Sequence, residues 1–166
     1  MKVNIALLTV TDTRTFENDK SGGILVKKIE EASHNLADRK ICKDIKEDIK
    51  SIINEWLKEK DIDVIITTGG TGLTGRDITP EALNEIADKH IPGFGEMFRY
   101  ISIKSVGTSS IQSRACAVLA KGKYVFALPG SSGGVTDAWD EILKYQLDIN
   151  HKPCNFVELF PRLKEK

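Results

Sequence analysis

The chain has 166 residues, 40% of them hydrophobic and 29% charged, the make-up of one globular domain rather than of a disordered segment. Lysine plus arginine and aspartate plus glutamate both number 24, so the formal net charge is zero. That balance excludes a global basic field for nucleic acid and a polybasic patch for an anionic membrane, so local backbone donors and a few placed cations must hold any anionic ligand.

The opening MKVNIALLTVTD carries one early lysine, a short apolar run and then polar residues without a cleavage-site pattern. It reads as a strand, not a signal peptide, and no apolar run is long enough to span a bilayer, so a cytoplasmic location is expected. Within it NIALLTV (4–10) is apolar almost throughout, as a strand buried on both faces requires. Residues 22–33 follow as a helix with Leu25, Ile29 and Ala32 on one face, and 36–42 as a second strand. Ile49, Ile52, Ile53, Trp56 and Leu57 repeat at helical spacing and predict an amphipathic helix. DIDVIITT (61–68) is a β-branched third strand that runs straight into glycines.

Thr79-Pro80-Glu81 predicts a helix start, with Thr79 as the cap, proline at the first helical position and an acid in the first turn. Leu83, Ile86 and Ala87 supply the buried face of that helix. Residues 88–93 read as a helix end and turn without a strand, and 94–102 as a further helix bounded by Pro92-Gly93. Residues 114–119 and 124–128 form a hairpin around Lys121-Gly122. Its second arm ends in Pro129-Gly130-Ser131-Ser132-Gly133-Gly134. A last helix turns Val135, Ala138, Trp139, Ile142 and Leu143 inward. Strands alternating with helices imply an α/β domain over 1–166, its mostly parallel sheet covered on both sides.

Ligands of open α/β sheets bind beyond the carboxyl ends of the strands. Three such ends are chemically unusual here: Thr9-Val10-Thr11-Asp12-Thr13, residues 69–77 and residues 129–134. The first offers hydroxyls and a carboxylate; the others offer backbone N–H groups exposed by glycine, suited to anions. Gly70, Gly72 and Gly75 match G-x-G-x-x-G, but they follow the third strand, the next helix waits until Pro80, and no ribose acid follows at a strand end. The dinucleotide fingerprint fails its context, and a Walker A loop fails for want of Gly-Lys-Ser/Thr.

Asp77, between the glycines and Pro80, either holds Mg²⁺ against bound phosphates or caps a turn. Asp44-Ile45-Lys46-Glu47 has the form of a capping box, and Asp12 that of a turn cap with Thr13. Cys42, Cys116 and Cys154 are far apart and odd in number, which predicts buried thiols in a reducing compartment. His34, His90 and His151 pair with no acid or cysteine at metal spacing and are expected at the surface or at an interface.

The segments Val10-Thr11-Asp12-Thr13, Thr67-Thr68-Gly69-Gly70-Thr71-Gly72, Arg76-Asp77-Ile78-Thr79-Pro80-Glu81, Pro92-Gly93-Phe94-Gly95-Glu96, Ser113-Arg114 and Leu128-Pro129-Gly130-Ser131 together resemble the MoaB/MogA molybdopterin-binding family. The likeness runs in order from about residue 3 to 156, and Pro153-Cys154-Asn155-Phe156 resembles the MoaB branch. It implies a three-layer α/β/α sandwich with one antiparallel hairpin strand, assembled as a homotrimer or homohexamer. It further implies adenylylation of molybdopterin by ATP and Mg²⁺ with release of pyrophosphate or, alternatively, pterin binding without catalysis. By the same resemblance Asp44 and Asp77 are the catalytic and Mg²⁺-holding acids. Thr11, Asp12, Gly69, Gly70, Thr71, Gly72, Thr79, Pro80, Glu81, Ser113, Arg114, Pro129, Gly130, Ser131 and Ser132 become the ligand-binding set, with Arg114 open to a subunit contact instead.

Overall fold

A computed structural model describes residues 1–165. Six strands form one sheet in the order β2-β1-β3-β6-β5-β4. They are β1 (Asn4–Val10), β2 (Asn35–Cys42), β3 (Val64–Thr68), β4 (Lys89–His90), β5 (Cys116–Ala120) and β6 (Lys123–Leu128). β2, β1, β3 and β6 run parallel; β5 runs against both of its neighbours. β1, β3 and β6 are buried along nearly their whole length because both faces are covered, whereas the edge strand β2 carries Asp38, Arg39 and Lys40 and is half-buried. Side-chain alternation divides the inner strands between two cores.

Ile5, Leu7, Val64, Ile66, Phe126 and Leu128 face α1 (Lys20–Glu31), α4 (Pro92–Val106) and α5 (Ser132–Ala138). Ala6, Leu8, Ile65, Val118, Val125 and Ala127 face α2 (Lys46–Lys58) and α3 (Thr79–Ile86). The result is the expected three-layer sandwich. No helix among the described residues is long and apolar enough to cross a membrane.

Several boundaries differ from the sequence reading, each for a local reason. α1 starts at Lys20 rather than residue 22 because Asp19 is its cap, accepting from the Gly22 N–H at 3.0 Å. Gly22 is needed there, since a Cβ would stand 2.0 Å from the Asp19 carboxylate. β3 starts at Val64, after Asp63 has turned to accept from the Asn4 N–H. Lys89–His90 is a short strand against β5, where a turn was expected; its two residues carry too little pattern to read. α4 takes in Pro92 and Gly93 and runs on to Val106, with a 3₁₀ turn at Gly107–Gln112 beyond it. Ala87 falls after the end of α3 and is half-buried.

The last helix is broken by a π turn at Trp139–Leu143 before α6 (Lys144–Gln146). The cysteines are less buried than expected: Cys42 and Cys116 are half-buried and Cys154 is exposed. His34 is half-buried, edge-on to Trp139, and accepts from the Val3 N–H.

Trp56 anchors α2 in its core, 1% exposed, with its indole N–H donating to Asp38 Oδ2 of β2 at 2.8 Å. Trp56→Ala leaves a cavity and removes one donor from the Asp38 carboxylate, and is expected to cost about 3–5 kcal/mol. The measurement is a fall in the urea midpoint at constant slope; a loss below about 1 kcal/mol would mean that the site collapses without this anchor.

Candidate functional site

β1, β3 and β6 are neighbours and parallel, so the three unusual strand ends emerge side by side. What lets them touch is glycine. Gly69 has φ +103°, and a Cβ there would stand 2.2 Å from the Val10 carbonyl oxygen. Gly70 has φ +67°, and a Cβ there would meet the Thr79 hydroxyl at 2.4 Å and Asp44 Oδ1 at 3.2 Å. Across the junction the Gly69 N–H donates to the Leu128 carbonyl, and the Thr68 hydroxyl donates to the Pro129 carbonyl at 2.7 Å.

Thr79 is not a cap. Ile78 precedes the helix without a side-chain bond, and the Thr79 hydroxyl donates instead to the Gly69 carbonyl at 2.9 Å while its N–H donates to Gly70. The motif after the glycines thus closes back on the loop that it follows.

A cavity of about 610 Å³ opens beside this junction. Of the expected ligand-binding residues, Gly70, Thr71, Gly72, Ser113, Pro129, Gly130 and Ser131 line it, together with Asp77. Gly69, Thr79, Pro80, Glu81, Arg114, Thr11, Asp12 and Ser132 do not; most of them hold its walls from behind. The opposite wall went unread in the sequence: Phe98, Ser102, Ser105, Val106, Ser110 and Gln112, from α4 and the 3₁₀ turn after it. Its signal was a hydroxyl-rich run, Gly107-Thr108-Ser109-Ser110, following the helix.

Arg114 is tied to the glycine loop and to α3 of its own chain. Its Nε donates to the Gly72 carbonyl at 2.7 Å, its Nη2 to the Asp77 carbonyl at 3.0 Å, and its Nη1 pairs with Glu81. Arg114 and Glu81 therefore brace the glycine loop against α3. Arg114 holds the Glu81 carboxyl below its usual range.

The two central acids sit on neighbouring loops, Asp44 between β2 and α2 and Asp77 between β3 and α3, in different electrostatic states. Burial pushes Asp44 up, the nearby charges of Asp12 and Asp77 add to that, and Arg76 with the Asp12 N–H offsets only part of it. Burial also acts to raise Asp77, but the Thr74 hydroxyl and N–H, the Gly72 N–H and Arg114 outweigh it and hold its carboxyl below the ordinary value. Asp77 is thus the tie of the loop rather than a helix cap. Asp44 is not a cap either: Ile45 takes that position, and the Asp44 N–H donates to Asp12 Oδ1. Asp12 also receives Arg76 at 3.1 Å, while Thr11 closes the turn expected of Asp12.

Among the described residues no three acidic, histidine or cysteine side chains form a ready metal cage. The residues present fit a Mg²⁺ ion that is completed by phosphate oxygens, because one or two carboxylates suffice in such sites and Asp44 has excess negative charge around it.

Residues 6–149 match the family described as "Probable molybdopterin binding domain". The chain is 42% identical over 161 residues to the molybdenum cofactor biosynthesis protein B of Escherichia coli K12, covering 97% of this chain and 93% of that one. A crystal structure of molybdenum cofactor biosynthesis protein B superposes with TM-score 0.90 at 38% identity, over 100% of this chain and 98% of the other. The tungsten cofactor synthesizing protein MoaB from Pyrococcus furiosus superposes with TM-score 0.78 at 34% identity, over 88% and 92%.

The glycine geometry separates two substitutions. Gly69→Ala puts a methyl into the Val10 carbonyl at positive φ and is expected to cost more than about 1 kcal/mol. Gly75→Ala meets nothing within 4 Å and should stay within about 0.5 kcal/mol of the parent. Equal melting temperatures for the two would refute the close approach.

Asp44 gives a pH signature. Its folded pKa is raised, so its ionisation opposes folding above that pKa, and the penalty disappears below the unfolded value of about 3.9. Asp44→Asn is expected to raise Tm at pH 7, with a gain that fades as the pH falls through the raised pKa toward that value. A gain that persists in acid would assign the effect to packing.

Proposed function

The chain belongs to the molybdopterin-binding domain family, and from that premise we propose that it serves molybdenum cofactor biosynthesis by adenylylating molybdopterin with Mg-ATP. The observation that carries this reading is the meeting of two glycine-rich backbone loops and Asp77 at one cavity, with Asp44 set behind the glycine loop at Gly70 rather than in the lining, in a protein of zero net charge. A phosphate oxygen of molybdopterin forms a bond to the α-phosphorus of ATP, and the bond from that phosphorus to the β-bridging oxygen breaks, releasing pyrophosphate. Both reactants are anionic, so positioning and charge neutralisation do the catalytic work.

The N–H groups of Gly70, Thr71 and Ser131, which line the cavity, hold phosphate without a basic surface, and the pterin lies between the loops and the Phe98 wall. Asp44 and Asp77 would hold Mg²⁺, which when bound supplies positive charge to the triphosphate. Asp77 also fixes the loop through Thr74. Five large apolar side chains of α4 and its following turn, Met97, Tyr100, Ile103, Val106 and Ile111, are at least half exposed. Such a face supports assembly as a homotrimer or homohexamer.

A second reading has its own support. The Asp77 carboxylate is already taken up by Thr74 and Gly72, as expected of a protein that binds the pterin without transferring a nucleotide.

The two readings part in one experiment. Purified protein with molybdopterin, Mg²⁺ and ATP labelled at the α-phosphate is expected to release pyrophosphate and yield adenylylated pterin. Asp77→Asn should lower turnover at least about 100-fold while the melting curve stays cooperative. Pterin binding with no labelled product would select the binding-only reading.

A further inference from the structure

The cations around the cavity are not equivalent. Arg39 answers Asp19, Arg76 answers Asp12 and Arg114 answers Glu81. Arg99 is half-buried and gives its Nη1 to the carbonyls of Ser113 and Ala115. Arg14 is exposed and has no carboxylate partner among the described residues. Its Nη1 donates to the Ser21 hydroxyl at 3.2 Å and to the Gly130 carbonyl at 3.1 Å. Its backbone is fixed by the Thr11 hydroxyl, which accepts from the N–H groups of both Thr13 and Arg14. Asp19, a buried acid, is held down by the Thr9 hydroxyl, the Gly22 N–H and Arg39 against the rise that burial imposes.

Gly130 and Ser131 share a trans peptide, and both line the cavity. In a trans peptide the carbonyl and the N–H point opposite ways. A guanidinium on the Gly130 carbonyl therefore turns the Ser131 N–H away from itself, on a residue that lines the cavity. A charged donor on a carbonyl also polarises the peptide and strengthens its N–H as a donor. We propose that Arg14 is a positioning residue that locks and polarises the Gly130–Ser131 peptide as the donor for the phosphate monoester of the pterin ligand. The site then draws on a full positive charge, at one remove, without placing a lysine or arginine in its own wall. This rests on the molybdopterin reading above.

The test compares molybdopterin with the same pterin after its phosphate has been removed by phosphatase. The parent protein is expected to prefer the phosphorylated form. Arg14→Gln should reduce that preference about tenfold by weakening the phosphorylated ligand alone, and Arg14→Lys should restore part of it. Equal weakening of both ligands would reduce Arg14 to a structural tie and overturn the proposal, as would an unchanged preference. A parent protein that binds both forms equally overturns the proposal while leaving the pterin reading in place. A parent that binds neither form overturns the pterin reading, and the role of Arg14 falls with it.

Discussion

The site depends on one close approach, the passage of Gly69 against the Val10 carbonyl. A Cβ at that point would lie 2.2 Å from the oxygen, so only glycine lets the end of β3 turn beside the end of β1. Gly130 then packs on Gly69 from the other side, where a Cβ of its own would stand 3.3 Å from the Gly69 Cα. Backbone meets backbone at both contacts. The donors that an anion needs are thereby exposed at the junction instead of being covered by side chains.

Once the three ends touch, charge has to be arranged rather than accumulated. A neutral protein cannot present a basic surface, and the arginines at this edge are drawn into structural work. Arg114 and Glu81 brace the glycine loop, and Arg76 spans to Asp12. The acids separate in turn: Asp77 is stabilised as an anion by the donors of its own loop, while Asp44 is pushed the other way by burial and by its acidic neighbours. Two neighbouring carboxylates from different loops with pKa values displaced in opposite directions is a pattern that functional sites share. Positive charge brought by a ligand-bound cation would relieve the strain on Asp44.

Much of the fold was legible because its signals are local. The apolar run of β1, the helical spacing from Ile49 to Leu57 and the hairpin around Gly122 each fall where the structure has them. The errors lie where a distant partner decides. The start of α1 is set by Asp19, which Thr9 and Arg39 hold from two other strands. Thr79 and Asp44 look like caps by spacing, yet one is claimed by the glycine loop and the other by Asp12. A local pattern predicts the bond that a side chain makes when nothing better is in reach. In both cases a tertiary partner was in reach.

By itself the sequence determined the α/β class, the order of most elements, the three chemically unusual strand ends and the family to which the motifs belong. These follow from periodicity, turn chemistry and residue type, all written within a few positions of one another. Only the tertiary structure decided that Asp44 and Asp77 come close from two different loops and differ in state, and that Arg114 is a brace. It also decided that the far wall is α4 with its serine-rich turn, and that Arg14 reaches Gly130 across 116 positions of sequence. Those facts depend on which side chains the sheet order brings together, and that order is fixed only when both cores close.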